Sequence, residues 1–163
     1  MTIEDTETSV IRRSVILVTA VTIAGLAAEL VIERHWGTVV RYVPWLTLAA
    51  LAWAVYRLWS GPTARQIRAA RTIGIAAIAA AGLGIALHIH ENYTAGPLDQ
   101  TYSLLWDTMN EPQRWWAAFS KSLGPAPTFA PAALALIGLL VLVATQHHPV
   151  MHAQARLPSE RRA

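Results

Sequence analysis

No cysteine occurs among the 163 residues, which excludes disulfides, thiolate metal sites and thiol redox chemistry. Lysine is nearly absent: Lys121 stands alone, and every other basic residue is arginine. Charge as a whole is scarce, at 14% Asp, Glu, Lys and Arg against roughly 25% in soluble domains. A Walker loop, a dinucleotide glycine fingerprint and an HExxH helix are all missing. Serines and histidines occur, yet no nucleophile motif surrounds any serine. These absences favour a non-enzymatic protein.

What is present is apolar. Hydrophobic residues make up 54% of the chain and the mean hydropathy is +0.36. They gather in four blocks, residues 14–32, 42–59, 72–90 and 129–146. Each block has about the length that spans ~30 Å of hydrocarbon. One such block fits a soluble core; four in so short a chain predict a single integral membrane domain over residues 1–163. The expected fold is all-α: a four-helix bundle of transmembrane helices with a short outer amphipathic helix.

The arginines set the topology. Arg12 and Arg13 precede the first block, Arg57, Arg65, Arg68 and Arg71 lie between the second and third, and Arg156, Arg161 and Arg162 occupy the tail. Residues 91–128 hold Arg114 and Lys121 against Glu91, Asp99, Asp107 and Glu111. The positive-inside rule places both termini in the cytoplasm and loop 91–128 outside. Arg34 and Arg41 are a minority on the outer side. The basic pI near 9.8 therefore reflects topology, and no nucleic acid partner is expected. Abundant alanine with arginine in place of lysine suggests a GC-rich bacterial genome, hence a bacterial inner membrane. A competing reading makes the first block a cleaved signal peptide, with Gly25-Leu26-Ala27-Ala28 near the cleavage point; the apolar run continues past it to Ile32.

Trp36, Tyr42 and Trp45 on one side and Tyr56 and Trp59 on the other form an interfacial aromatic belt. Gly61-Pro62 stops the second helix. In the outer loop, Asn110-Glu111-Pro112 reads as a capped helix start. The stretch 112–123 carries Trp115, Trp116 and Phe119 opposite Arg114, Ser120 and Lys121, predicting an amphipathic helix that offers an interfacial contact to the membrane or caps the bundle. Ala76, Ala80, Gly84 and His88 repeat every four residues, as do Ala20, Ala24 and Ala28; such ridges let helices approach closely.

One carboxylate interrupts the first block. Glu29 lies near its end, where a charge costs up to about 2.5–3.5 kcal/mol at mid-helix and less toward the interface. Glu33 is four residues on and shares its face. The topology puts Glu29, Glu33 and His35 in the same leaflet as His88, His90, Glu91 and Asn92. His88 shares a face with Glu91 and Asn92, while His90 points some 200° away.

This polar site, Glu29, Glu33, His35, His88 and Asn92, admits four roles. It can be a structural hydrogen-bond or snorkelling cluster, or it can pass a proton or small solute. It can hold a divalent metal through Glu29, His35, His88 and Glu91. His35 and His88 can serve as axial ligands of a haem. His147, His148 and His152 form a second group that binds metal weakly at most. Asn92-Tyr93-Thr94 matches a glycosylation sequon without meaning in a bacterial chain.

Three short patterns support a resemblance. They are Glu29-Leu30 with His35 and Pro44; Gly84-Ile85-Ala86-Leu87-His88 with Asn92; and Trp116-Ala117-Ala118-Phe119 leading into Pro125-Ala126-Pro127-Thr128-Phe129-Ala130-Pro131, with Gly138-Leu139-Leu140 and His148-Pro149. Over most of its length to Pro149 the chain resembles a group of small uncharacterised bacterial membrane proteins with four predicted spans. That group has no assigned activity, so the resemblance implies architecture and points to Glu29, His35, His88 and Asn92. Residues 99–110 look longer and richer in tryptophan than the group's outer loop, so no extracellular partner carries over. The expected function is an accessory or small transport-related membrane protein. The alternatives are a metal- or haem-binding redox subunit and a purely structural partner in a larger complex.

Overall fold

A computed structural model describes residues 3–120, 124 and 126–151, and all regular structure among them is helical. Five α-helices follow in order: α1 (Ile3–Ile32), α2 (Val43–Trp59), α3 (Ala64–Ala95), α4 (Glu111–Phe119) and α5 (Ala132–Thr145). Short 3₁₀ turns stand at Val40–Tyr42, Gly96–Leu98 and Trp106–Thr108. The all-α expectation holds.

Two helical stretches, Glu7–Ile32 and Ala64–Leu98, are long and apolar enough to cross a membrane. The other two expected spans are shorter helices. α2 has 17 residues, about 26 Å at 1.5 Å per residue, and α5 has 14, about 21 Å. The reason is local. Gly61, at φ +83°, and Pro62 end α2. Ahead of α5, Ala130 N–H donates to the Pro127 carbonyl at 3.0 Å and Ala132 N–H to that of Phe129 at 2.9 Å. Residues 127–131 are thus a turn between prolines rather than the first turn of a span.

The chain divides into two compact units. The first holds residues 1–80 and 134–163, with α1, α2, the first half of α3, and α5. Its core is built from Ile16, Leu26 and Leu30 of α1, Leu48, Leu51, Ala54 and Leu58 of α2, Ile67, Ala70 and Ala77 of α3, and Ile137 and Val141 of α5. Gly74 and Gly138 let α3 and α5 touch through their backbones: a Cβ on Gly138 would come within 2.6 Å of the Gly74 carbonyl oxygen. The packing stripe of α3 is therefore Ile67, Ala70, Gly74 and Ala77. The expected ridge through Ala76 is offset, for Ala76 is exposed. On α1, Ala24 and Ala28 are exposed as well, and of the expected Ala20–Ala24–Ala28 ridge only Ala20 is half-buried.

At its C-terminus α5 meets arginines. Arg71 donates to the Thr145 carbonyl at 2.8 Å and to its hydroxyl at 3.3 Å; Arg12 donates to the His147 carbonyl at 3.4 Å. Cations there meet the negative end of the helix dipole. His148 is buried nearby. Burial, then the charges of Arg12 and Arg71, hold its imidazole below its ordinary pKa, so it sits neutral between two arginines. His152 lies outside the described residues.

The second unit, residues 81–133, contains the end of α3, the loop and α4. The sequon-like Asn92-Tyr93-Thr94 lies inside α3. Asn110 and Gln113 form a reciprocal capping box at 3.0 Å in each direction, so the predicted start of α4 holds; the predicted continuation through residues 121–123 lies outside the described residues. The unit's small core is Trp106 and Ala117, with Tyr93, Tyr102 and Met109 against them. Arg114 binds the loop to α4: its Nε donates to the Trp106 carbonyl at 2.9 Å, its guanidinium lies 5.5 Å from the Trp106 ring centroid, and it pairs with Glu111 at 3.2 Å.

Candidate functional site

The expected polar residues fall into two sets. Glu29, Glu33 and His35 belong to the first unit; His88, Glu91 and Asn92 belong to the second. Their surroundings differ in kind.

Asn92 is completely buried. Its amide nitrogen donates to the carbonyls of Ala126 at 2.9 Å and Ala118 at 3.2 Å and to the Thr128 hydroxyl at 3.3 Å. Its oxygen accepts from Ala126 N–H at 3.0 Å. One side chain thereby binds α3 to the end of α4 and to the segment leading into α5. Gly124 permits this, at φ +82°, because a Cβ there would collide with Asn92. One turn earlier on α3, His88 Nδ1 lies 2.8 Å from the Pro127 carbonyl. A carbonyl only accepts, so Nδ1 is the donor in this bond. Gly84 completes the face: a Cβ on it would come within 2.9 Å of Pro131 Cβ. The repeat Gly84, His88, Asn92 thus lies along residues 124–131, meeting in turn Pro131, Pro127 and Ala126.

Asp99 closes the loop from the other side. Its Oδ1 accepts from Thr101 N–H at 2.8 Å and Tyr102 N–H at 3.2 Å, and its Oδ2 from Gly124 N–H at 3.2 Å. The N–H groups of Thr101 and Gly124, with a lesser one from Tyr102, hold its carboxyl below the usual carboxylate range, against a small opposing cost of burial.

Glu29 is exposed, as are Glu33 and Glu91. The single ion pair among the described residues is that of Arg114 and Glu111, so Glu29 receives no cation from any of them. Around it on α1 the exposed residues are Gly25, Ala28 and Ile32, and a Cβ on Gly25 would meet nothing within 4 Å. His35 is half-buried; its carbonyl accepts from Trp45 Nε1 at 2.8 Å, which pins the connection between α1 and α2. Among the described residues no group of three or more His, Asp or Glu side chains stands ready to hold a metal.

Trp116 is 67% exposed and forms an aromatic row with Phe119 and Phe129, at centroid spacings of 5.8 and 5.5 Å. Trp115 stacks on Tyr93 at 4.3 Å. An open depression of about 900 Å³ beside Trp116 is bordered by Leu105, Met109, Pro112 and Tyr102, the last being the only titratable side chain among the described residues that line it.

No family profile, no curated protein and no solved structure matches the chain. The functional reading therefore rests on geometry.

Three contributors were missed in the sequence. Asp99 sits two residues before Thr101 in an Asx-turn arrangement, a legible signal. Thr128 and Gly124 carry no signal of this role in the sequence. Their partner Asn92 lies more than 30 positions away, and nothing local marks it.

Proposed function

We propose that this chain is a four-span protein of the bacterial cytoplasmic membrane, with both termini inside, that acts as a non-enzymatic accessory subunit. Its docking surface is the Ala24, Gly25, Ala28 and Glu29 face of α1. The carrying observation is that Glu29 lies exposed on a helix long and apolar enough to cross a membrane, with no cation paired to it among the described residues. A carboxylate in that position is costly against lipid. The small residues beside it give a second helix close access, and that helix would bring a basic or hydrogen-bonding side chain to Glu29. The shorter helices α2 and α5 fit a bilayer that thins locally around them. Trp116 and Phe119 would lie at the outer interface.

The experiment is native electrophoresis of membranes opened in a mild detergent. The wild type is expected in an assembly well above the 17.8 kDa of the chain, with Glu29→Gln and Gly25→Leu each releasing it as a smaller species. Migration of the wild type at its own mass, or an assembly indifferent to both changes, would overturn the reading.

A further inference from the structure

A groove runs between α1 and α2, about 280 Å³ in volume and lined by Leu17, Ala20 and Ile23 on one side and Ala52, Val55 and Trp59 on the other. We propose that it seats one acyl chain of an anionic phospholipid, with Arg13 holding the phosphate. The proposal rests on the reading of the chain as membrane-embedded, and on nothing concerning Glu29.

Three observations point to this occupant. The groove wall is apolar along its length, and from Ile16 to Ile23 it covers roughly 10 Å of helix, about two-thirds of one leaflet's ~15 Å of hydrocarbon. One end is aromatic: Tyr56 and Trp59 line it and are 63% and 58% exposed, the amphipathic rings that settle at headgroup depth. At that same end stands a cation, the Arg13 guanidinium 6.0 Å from the Trp59 ring centroid. A guanidinium on an aromatic face keeps its donors in one plane, free to meet phosphate oxygens in pairs. An acyl chain from a phosphate at Arg13 would enter the groove directly.

Local charge favours an anion. Glu7, an exposed acid of α1, is six residues from Arg13, about 9 Å along the axis and some 240° around it. Arg12 is engaged with the His147 carbonyl, which leaves Arg13 as the arginine of this pair that faces the groove. A partner helix at Glu29 would not compete, since Glu29 is nine residues from Ala20 and so about 180° around α1.

The test is native mass spectrometry of the full chain released from nanodiscs of mixed phosphatidylglycerol and phosphatidylcholine. One phosphatidylglycerol is expected to remain per chain. Arg13→Gln should reduce its retention about tenfold relative to phosphatidylcholine. Ala52→Phe, which fills the groove from its exposed wall and leaves Arg13 in place, should abolish retention of either lipid. Arg41→Gln, in the connection at the other end of the helix pair, should change nothing. Equal retention of both lipids by the wild type, retention unaffected by Arg13→Gln and Ala52→Phe, or a second polypeptide in the place of lipid would overturn the seat alone. Release of the chain from membranes by alkaline carbonate would overturn the seat together with the membrane reading.

Discussion

Asn92 and Glu29 are both polar residues in apolar helices, and they have opposite fates. Asn92 is turned inward, and both ends of its amide are hydrogen-bonded within its own unit. Glu29 is turned outward, beside glycine and alanine, and takes no cation from the described residues. The same anomaly of hydrophobicity therefore has two meanings. A polar side chain that finds its partners inside the fold is part of the fold. One that does not must find water, lipid headgroups or another molecule. Residue type does not separate the two cases; the accounting of partners does.

This contrast can be broken experimentally, beginning with its strongest side. Asn92→Ala would orphan Ala126 N–H and two carbonyls and leave a void. Unfolding in detergent, followed by tryptophan emission, should show a loss of about 3 kcal/mol or more; a loss below about 1 kcal/mol would remove Asn92 as the organising residue of the second unit. Gly124→Ala should cost about 2–3 kcal/mol, because the new Cβ meets Asn92 and the backbone is left-handed there. His88→Ala forfeits one bond to the Pro127 carbonyl and should cost about 1 kcal/mol. His88→Asn would restore part of the loss if the bond rather than ring volume matters.

The fourth test uses pH. The carboxyl of Asp99 titrates below its ordinary value when folded, so the unfolded chain binds the proton first. Its contribution is fully present above the ordinary aspartate pKa near 4 and is lost as pH falls through the depressed folded value. Acid should therefore loosen residues 99–124 of the wild type before the rest, by hydrogen exchange, and Asp99→Asn should show the loosening already at neutral pH. The smallest effect belongs to Glu29. Glu29 is exposed and its side chain has no partner among the described residues, so Glu29→Gln should change the stability of the purified chain by no more than about 0.5 kcal/mol, while it dissolves the assembly proposed above. A large stability loss in the isolated chain would place Glu29 with Asn92 and end the contrast.

Much of the local structure was legible. The capping box at Asn110, the stop at Gly61-Pro62 and the long apolar helices follow from rules that act within a few residues. The second block, 42–59, matches α2 to within a residue, whereas the start of the fourth was not legible, because hydropathy does not register where a proline-bounded turn delays a helix, as residues 127–131 delay α5. Helical spacing did put Gly84, His88 and Asn92 on one ridge. Their use against Pro131, Pro127 and Ala126 was not foreseeable, since those partners are 34 to 47 positions away in the chain.

By itself the sequence determined that this protein is helical and apolar, where α2 stops and α4 begins, and which polar residues are out of place. These are matters of local propensity and of transfer energy, which each segment carries alone. Only the tertiary structure decided that Asn92 is enclosed and Glu29 is not, that Gly74 and Gly138 form a backbone contact, and that Arg13 stands over Trp59 at the end of an apolar groove. Those outcomes depend on which faces are brought together, and no segment contains that information until its neighbours are packed against it.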